Sequence, residues 1–131
     1  MSEGFREEVL DWWREAGHNL RQAAKNIEIE EYSVAAFLCH QVAEKALKAL
    51  YMAKKARIPP RGYDLLKLGR AVKAEEVMRE LKLLNPHYTV ARYPNAANTV
   101  PSELYTREMA EACLDAARRV VEWARRSGGL P

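Results

Sequence analysis

Apolar residues recur at steps of three and four positions along most of the chain, and this spacing constrains the fold more than any other feature. Between positions 5 and 27 it gives a helix with one apolar face, and between 32 and 55 a more hydrophobic helix with overlapping apolar faces. No stretch alternates apolar and polar residues as a strand does, and no internal repeat is present. The sequence therefore predicts an all-α fold.

Turn and cap signals divide the chain into helices. The predicted helices cover residues 5–27, 32–55, 64–71, 74–84 and 106–126. Ser2 stands near the start of the first helix, Pro59 and Pro60 follow the second, and Gly128 follows the last. A chain of 131 residues suits one domain. We therefore expect a single domain over residues 1–131, an antiparallel bundle of four to five helices around the second helix.

The overall charge is small. The chain carries 21 Lys and Arg residues against 18 Asp and Glu residues, and its net charge of +3 is too weak to indicate nucleic-acid binding by itself. Any basic site must therefore be local. The most prominent basic run consists of Arg118, Arg119, Arg125 and Arg126. Cations are favoured near the C-terminal end of a helix in any case, so we expect this run to be structural.

Several features indicate the compartment. No apolar run is long enough to span a bilayer, and the N-terminal sequence lacks the apolar core of a signal peptide. Cys39 and Cys113 both lie inside apolar helical stretches, where cysteine behaves as a small buried hydrophobe. We expect a cytoplasmic protein with no disulfide and no membrane partner.

The sequence contains no standard cofactor motif. Glycine-rich phosphate loops, paired CxxC motifs and HExxH are absent. The three histidines, His18, His40 and His87, are spread over two predicted helices and a loop. We therefore predict no metal site and no cofactor.

The second helix carries an unusual polar set for its hydrophobicity. His40, Glu44 and Lys48 step by four positions and share one face, with Gln41 and Lys45 one position round. One interpretation is a solvated stripe with a Glu44–Lys48 pair, worth roughly a few tenths of a kcal/mol. The other is that these groups line a cleft or a contact between subunits.

A second polar set lies in the stretch 87–103, which has no helical periodicity and is predicted to be a long loop. This set consists of His87, Tyr88, Arg92, Tyr93 and Asn95. Arg92 presents five donors in a fixed fork, which suits phosphate or carboxylate recognition. Alternatively, Arg92 ties the loop to an acid such as Glu44 and has no other role.

Five segments, in this order, carry a resemblance to a known family. They are Trp12-Trp13 with Ala16, the central FLCHQVAEKALKALY, a proline-rich loop before Asp64-Leu65, the ARYPNA that begins at Ala91, and a final helix with Trp123 near its end. Together they resemble the HEPN domain, over roughly residues 12–123. The resemblance implies an up-down helical bundle that is commonly a symmetric homodimer. In prokaryotes it is often encoded beside a small nucleotidyltransferase as a toxin–antitoxin-like pair.

The resemblance also implies a place to look for activity. Several HEPN proteins are metal-independent ribonucleases, in which an Arg and a His with four to six residues between them form the active site across the dimer. Arg92 matches that Arg, but Tyr93 follows it in place of the usual polar residue, and positions 97–99 hold Ala, Asn and Thr. His87 precedes Arg92 and can substitute only if the loop folds back. Tyr63 replaces the family's His in the proline-rich loop.

We therefore expect a non-catalytic HEPN-type module that binds a nucleotide, RNA or a nucleotidyltransferase partner through the Arg92 loop and the polar face of the second helix. One alternative is a degenerate ribonuclease that uses Arg92 with His87 or a tyrosine of the loop. Another is a structural dimer subunit. We also expect a homodimer whose contact includes the second helix and the Arg92 loop, and a cleft that holds Arg92 with Tyr93 and with Glu44 or Lys48.

Overall fold

The computed structural model describes residues 3–131, so the expectation about Ser2 lies outside the described residues. The helices are α1 (Glu3–Glu28), α2 (Tyr32–Lys55), α3 (Leu65–Ala71), α4 (Met78–Leu84), α5 (Pro101–Leu104) and α6 (Arg107–Gly128). Residues 3–131 contain no strand, which confirms the all-α prediction. Within this same range, no helix is both long enough and apolar enough to cross a membrane.

Local caps explain where several helices begin and end. The Asp64 carboxylate accepts hydrogen bonds from backbone N–H groups in the first turn of α3. The Thr106 hydroxyl accepts a hydrogen bond from the backbone N–H of Met109 in α6. Gly129 ends α6 in the left-handed conformation that glycine adopts without strain. Ala56 ends α2 in the same conformation although it has a Cβ. These ends lie within two residues of the predicted boundaries.

The second helix is the centre of the bundle. It packs against α1, to which the turn at residues 29–31 connects it, and also against α6. Its Leu47 and Leu50 are fully buried, as is Val120 of α6. Burying each such side chain stabilises the fold by roughly 1.5–3 kcal/mol. Cys39 of α2 and Cys113 of α6 are buried and free, as predicted.

The stretch predicted as a long loop contains three short helical segments, so that prediction was wrong in detail. They are the 3-10 turns Asn85–Tyr88 and Pro94–Ala96 and the four-residue helix α5. Each has a proline in its first two positions, where the missing N–H has no helical partner to lose. The prolines that suggested an irregular loop are therefore at helix starts.

Candidate functional site

Three side chains form a flat stack beside α2, which we call the aromatic stack: Tyr63, Tyr88 and Arg92. The rings of Tyr63 and Tyr88 are 3.6 Å apart between centroids and only 6° from parallel. The guanidinium carbon of Arg92 lies 4.0 Å from the centroid of Tyr88. Because Tyr63 already covers one face of Tyr88, Arg92 must cover the other. The stack therefore joins the segment before α3 to the segment after α4.

Arg92 is held firmly but remains exposed. Its Nε donates to the Tyr88 carbonyl at 2.7 Å, and its Cζ lies 4.7 Å from the ring centroid of Phe37 on α2 and 4.9 Å from that of Tyr93. Its two terminal amino groups form no hydrogen bond or ion pair with another residue in the described part of the chain. The cation–π contacts fix the direction of the fork and leave its outer donors to a ligand.

His40 attaches the aromatic stack to α2. It is fully buried, and its Nε2 lies 2.8 Å from the Tyr63 carbonyl oxygen. Since a carbonyl can only accept, Nε2 carries the proton, and Nδ1 accepts from the Gln41 side-chain amide at 3.3 Å. Burial lowers the pKa of His40 to about 4, so the ring is neutral near pH 7. His40 thus holds the backbone at Tyr63 in place.

The same polar face continues as a largely internal network. The Gln41 amide also donates to Glu44 Oε1 at 3.4 Å, and Lys48 Nζ donates to Glu44 Oε2 at 2.9 Å. Lys48 is buried, and its ammonium lies 5.5 Å from the ring centroid of Trp12 on α1. The Glu44–Lys48 pair of the first interpretation is therefore present, but it is covered by α1 rather than solvated.

The predicted residues extend along α2 from the Arg92 end to Lys48. Glu44, His87 and Arg92 all act on the pKa of His40, which Glu44 raises and the other two lower, so all three lie in the neighbourhood of His40. Lys48, by contrast, lies about 16 Å along the helix axis from Phe37, the α2 residue that Arg92 contacts.

The two remaining candidates outside the stack have their own positions. Lys45 is directed to α1, where its Nζ donates to Asn19 Oδ1 at 2.6 Å and lies 3.8 Å from Glu15 Oε2. Asn95 is exposed in the turn that follows Tyr93. Lys45 is therefore engaged by α1, whereas Asn95 lies three residues after Arg92 in sequence with its side chain exposed.

His87 is engaged elsewhere. Its Nδ1 and the Tyr105 hydroxyl oxygen share a hydrogen bond at 2.6 Å, and the two rings meet edge to face. Burial lowers the pKa of His87. Although His87 and Tyr88 are adjacent, the first contacts Tyr105, two residues before α6, and the second contacts Phe37 of α2 and Arg92. Among the described residues, His87 forms no hydrogen bond with Arg92.

Phe37 and Tyr63 belong to the site and were not predicted to. Phe37 precedes His40 by three residues, so helical spacing alone places both on one face of α2. Tyr63 had no such signal, because its place depends on a hydrogen bond to a residue 23 positions away. Residues 3–131 contain no cluster of His, Cys, Asp or Glu that could hold a metal ion. The site is therefore a fixed cation surrounded by flat rings.

The comparisons with known proteins agree with this fold. The HEPN domain family model matches residues 9–127. The crystal structure of TT1696 from Thermus thermophilus is 31% identical, with a TM-score of 0.84 over 91% of this chain and 97% of that chain. ST0689, described as an archaeal HEPN homologue, is also 31% identical, with a TM-score of 0.78 over 90% of this chain and 95% of that one. No functionally curated protein matches. The chain belongs to the HEPN domain family.

Proposed function

We propose that this chain is a HEPN module that binds a nucleotide or RNA at Arg92 and does not cleave it. The observation that supports this is the exposed guanidinium, which lies on Tyr88 and whose terminal amino groups have no partner among the described residues. A fixed guanidinium binds a phosphate with two parallel, charge-assisted hydrogen bonds. Tyr93 is 47% exposed beside it, so a base can stack there while the phosphate meets Arg92.

The positions around Arg92 argue against cleavage. General acid–base cleavage of RNA needs a side chain that exchanges a proton close to the 2′-hydroxyl. Positions 97–99 hold no histidine. The nearest one along the chain, His87, is bonded to Tyr105 instead. The site therefore has an anion-binding group without a partner suited to proton transfer.

Arg92→Ala should weaken binding of a short single-stranded RNA about 10-fold, because one bidentate phosphate contact is lost. Wild-type affinity should also fall with added salt. Fluorescence anisotropy with labelled RNA in EDTA measures both effects, and a gel of the same samples reports cleavage. Arg107→Ala is a matched control, since Arg107 also lies over a tyrosine, 5.3 Å from the ring centroid of Tyr32. It should leave binding unchanged.

Two results would favour the other candidates. Cleavage by the wild type that disappears in Arg92→Ala would support the degenerate ribonuclease. Binding that is insensitive to both the substitution and salt would leave the structural dimer subunit.

We also propose that the chain forms a homodimer through the N-terminal half of α2 and the Arg92 loop. Val34, near the start of α2, is 42% exposed and leaves a large apolar side chain uncovered there. Val34→Asp should convert the dimer to a monomer in sedimentation at about 30 μM, a concentration suited to a weak interface. Ile58→Asp, at an exposed position beyond the end of α2, should not. A wild type that sediments as a monomer would disprove the dimer.

Family membership supports one further partner proposal. HEPN chains of prokaryotes often act with a small nucleotidyltransferase in toxin–antitoxin-like pairs, and we propose the same partner here. Co-purification with the product of an adjacent nucleotidyltransferase gene tests it, and a genome without such a neighbour would count against it.

A further inference from the structure

The positive charge of this chain is concentrated in one segment. Residues 54–73 contain seven Lys and Arg residues and one acid, a net charge of +6, whereas the whole chain carries +3. The rest of the chain therefore carries −3. All seven cations are exposed, and none forms an ion pair with a residue that the structure describes. The small overall charge conceals a strongly basic surface.

The other basic run of the chain is neutralised. Its four pairs are Arg118–Asp115, Arg119–Glu80, Arg125–Glu122 and Arg126–Glu76. These ion pairs join residues within α6 or connect α6 to the segment that begins α4. In the part of the chain that the structure describes, one basic segment is therefore paired with acids, whereas the basic segment 54–73 is not.

Helix dipoles explain only part of the segment. Cations near the last turn of a helix are stabilised by its partial negative charge, which accounts for Lys54 and Lys55 at the end of α2. It does not account for Arg57 and Arg61 in the connection or for Lys67 near the start of α3. Like charges so close together repel one another, so their accumulation carries a cost that a bound anion would remove.

Three of these lysines line one cavity. Lys54, Lys55 and Lys73, with Ala71 and Val72, surround an open cavity of about 280 Å³ between the end of α2 and the end of α3. The Lys54 ammonium lies 5.8 Å from the ring centroid of Trp123 on α6. Three lysine side chains that line one open space of this size suit a phosphate group.

We propose that residues 54–73 form a second anion-binding surface, which binds the phosphate backbone of a nucleic acid and seats one phosphate among Lys54, Lys55 and Lys73. Lysine ammonium groups act as point charges on phosphates and read no base, so this binding is independent of sequence. The basic surface extends over a helix end, a loop and a second helix. A surface of this extent is larger than a small anion can contact, and it suits a chain of phosphates.

The cavity lined by Lys54, Lys55 and Lys73 is separate from the Arg92 site. Lys54 lies about 25 Å along α2 from Phe37, the α2 residue that Arg92 contacts. Tyr63 of the aromatic stack belongs to the same basic segment and is 46% exposed, so a single strand that follows the segment passes from the cavity to the stack. The proposal holds whether or not Arg92 binds a nucleotide.

The test compares RNA binding by two triple variants, each of which loses three positive charges. Lys54→Gln, Lys55→Gln and Lys73→Gln together should weaken binding of a single-stranded RNA of about 20 nucleotides by ~10-fold or more at low salt. The slope of log K against log salt should fall by about 0.7, because the contact to one phosphate is lost. The control combines Arg118→Gln, Arg119→Gln and Arg126→Gln, which changes the net charge equally. It should leave both the affinity and the slope close to those of the wild type.

Further measurements keep the result clear. The double variant Lys55→Gln and Lys73→Gln omits Lys54, which packs near Trp123, and should show most of the loss with unchanged thermal unfolding. Adding Arg92→Ala should weaken binding without removing the difference between the two triple variants. Equal losses in the two triple variants, or no loss in either, would overturn the proposal. Displacement of the RNA by pyrophosphate at matched phosphate concentration would also overturn the proposal. Binding to anionic vesicles without binding to RNA would overturn it too.

Discussion

Lys48→Met alone should lower the free energy of unfolding by about 3 kcal/mol, because it leaves the Glu44 carboxylate without its ammonium in a covered position. The two groups are 2.9 Å apart, and both side chains are largely buried between α1 and α2. The methionine fills a similar volume, so the loss comes mainly from the uncompensated charge rather than from a cavity. Urea unfolding monitored by circular dichroism measures the change.

The stabilities of two further variants test whether the loss comes from the unpaired Glu44 charge. The double variant Glu44→Met and Lys48→Met should recover to within about 1 kcal/mol of the wild type, since neither charge is then left buried. Lys25→Met removes an exposed partner, 3.6 Å from Glu28, and should change stability by less than about 0.5 kcal/mol. If Lys48→Met unfolds like the wild type but loses ligand binding, Lys48 belongs to the binding site rather than to the structural network.

Lowering the pH from about 7 to 4 should remove about 3 kcal/mol of stability through His40 alone. Burial lowers the pKa of this ring from 6.5 to about 4 in the folded state. Between these two values the unfolded chain binds a proton that the folded chain does not. Stability is therefore complete above pH 6.5, falls as the pH drops towards 4, and loses little more through His40 below that. The burial of His87 lowers its pKa too and acts in the same direction.

His40→Gln tests this pH dependence. A glutamine amide can still donate to the Tyr63 carbonyl but does not titrate, so the variant should be less stable at pH 7 and lose about 3 kcal/mol less between pH 7 and 4. NMR titration of the wild-type ring should give a midpoint near 4. A midpoint near 6.5 would show that the ring is solvated and that the connection between α2 and Tyr63 is open.

The long helices were predictable because each buries a stripe of its own surface. The predicted range 32–55 coincides with α2, and α1 and α6 differ from their predictions by two residues or fewer at each end. The 87–103 stretch was not predictable in this way. A proline that stops a helix and a proline that starts one look alike in sequence, and only the packing of the residues after Pro94 and Pro101 distinguishes them.

The candidate site was predictable where its residues are close in sequence. Tyr88, Arg92 and Tyr93 fall within one short stretch, and helical spacing placed His40 and Glu44 on one face. The burial of that face depends on α1, whose Trp12 and Asn19 meet it from another part of the chain. The partnership of Tyr63 with Tyr88 depends on how two connections meet, which no local pattern determines.

Cys39 and Cys113 lie on the two helices whose packing closes the bundle, and burial raises the pKa of both thiols, that of Cys113 to about 12. A thiol reagent attacks the thiolate, so neither cysteine reacts while α2 and α6 stay together. The rate at which a reagent modifies them without denaturant therefore reports how often the two helices separate. These cysteines thus give a direct measure of opening motions at the centre of the fold, from its natural residues and without an added label.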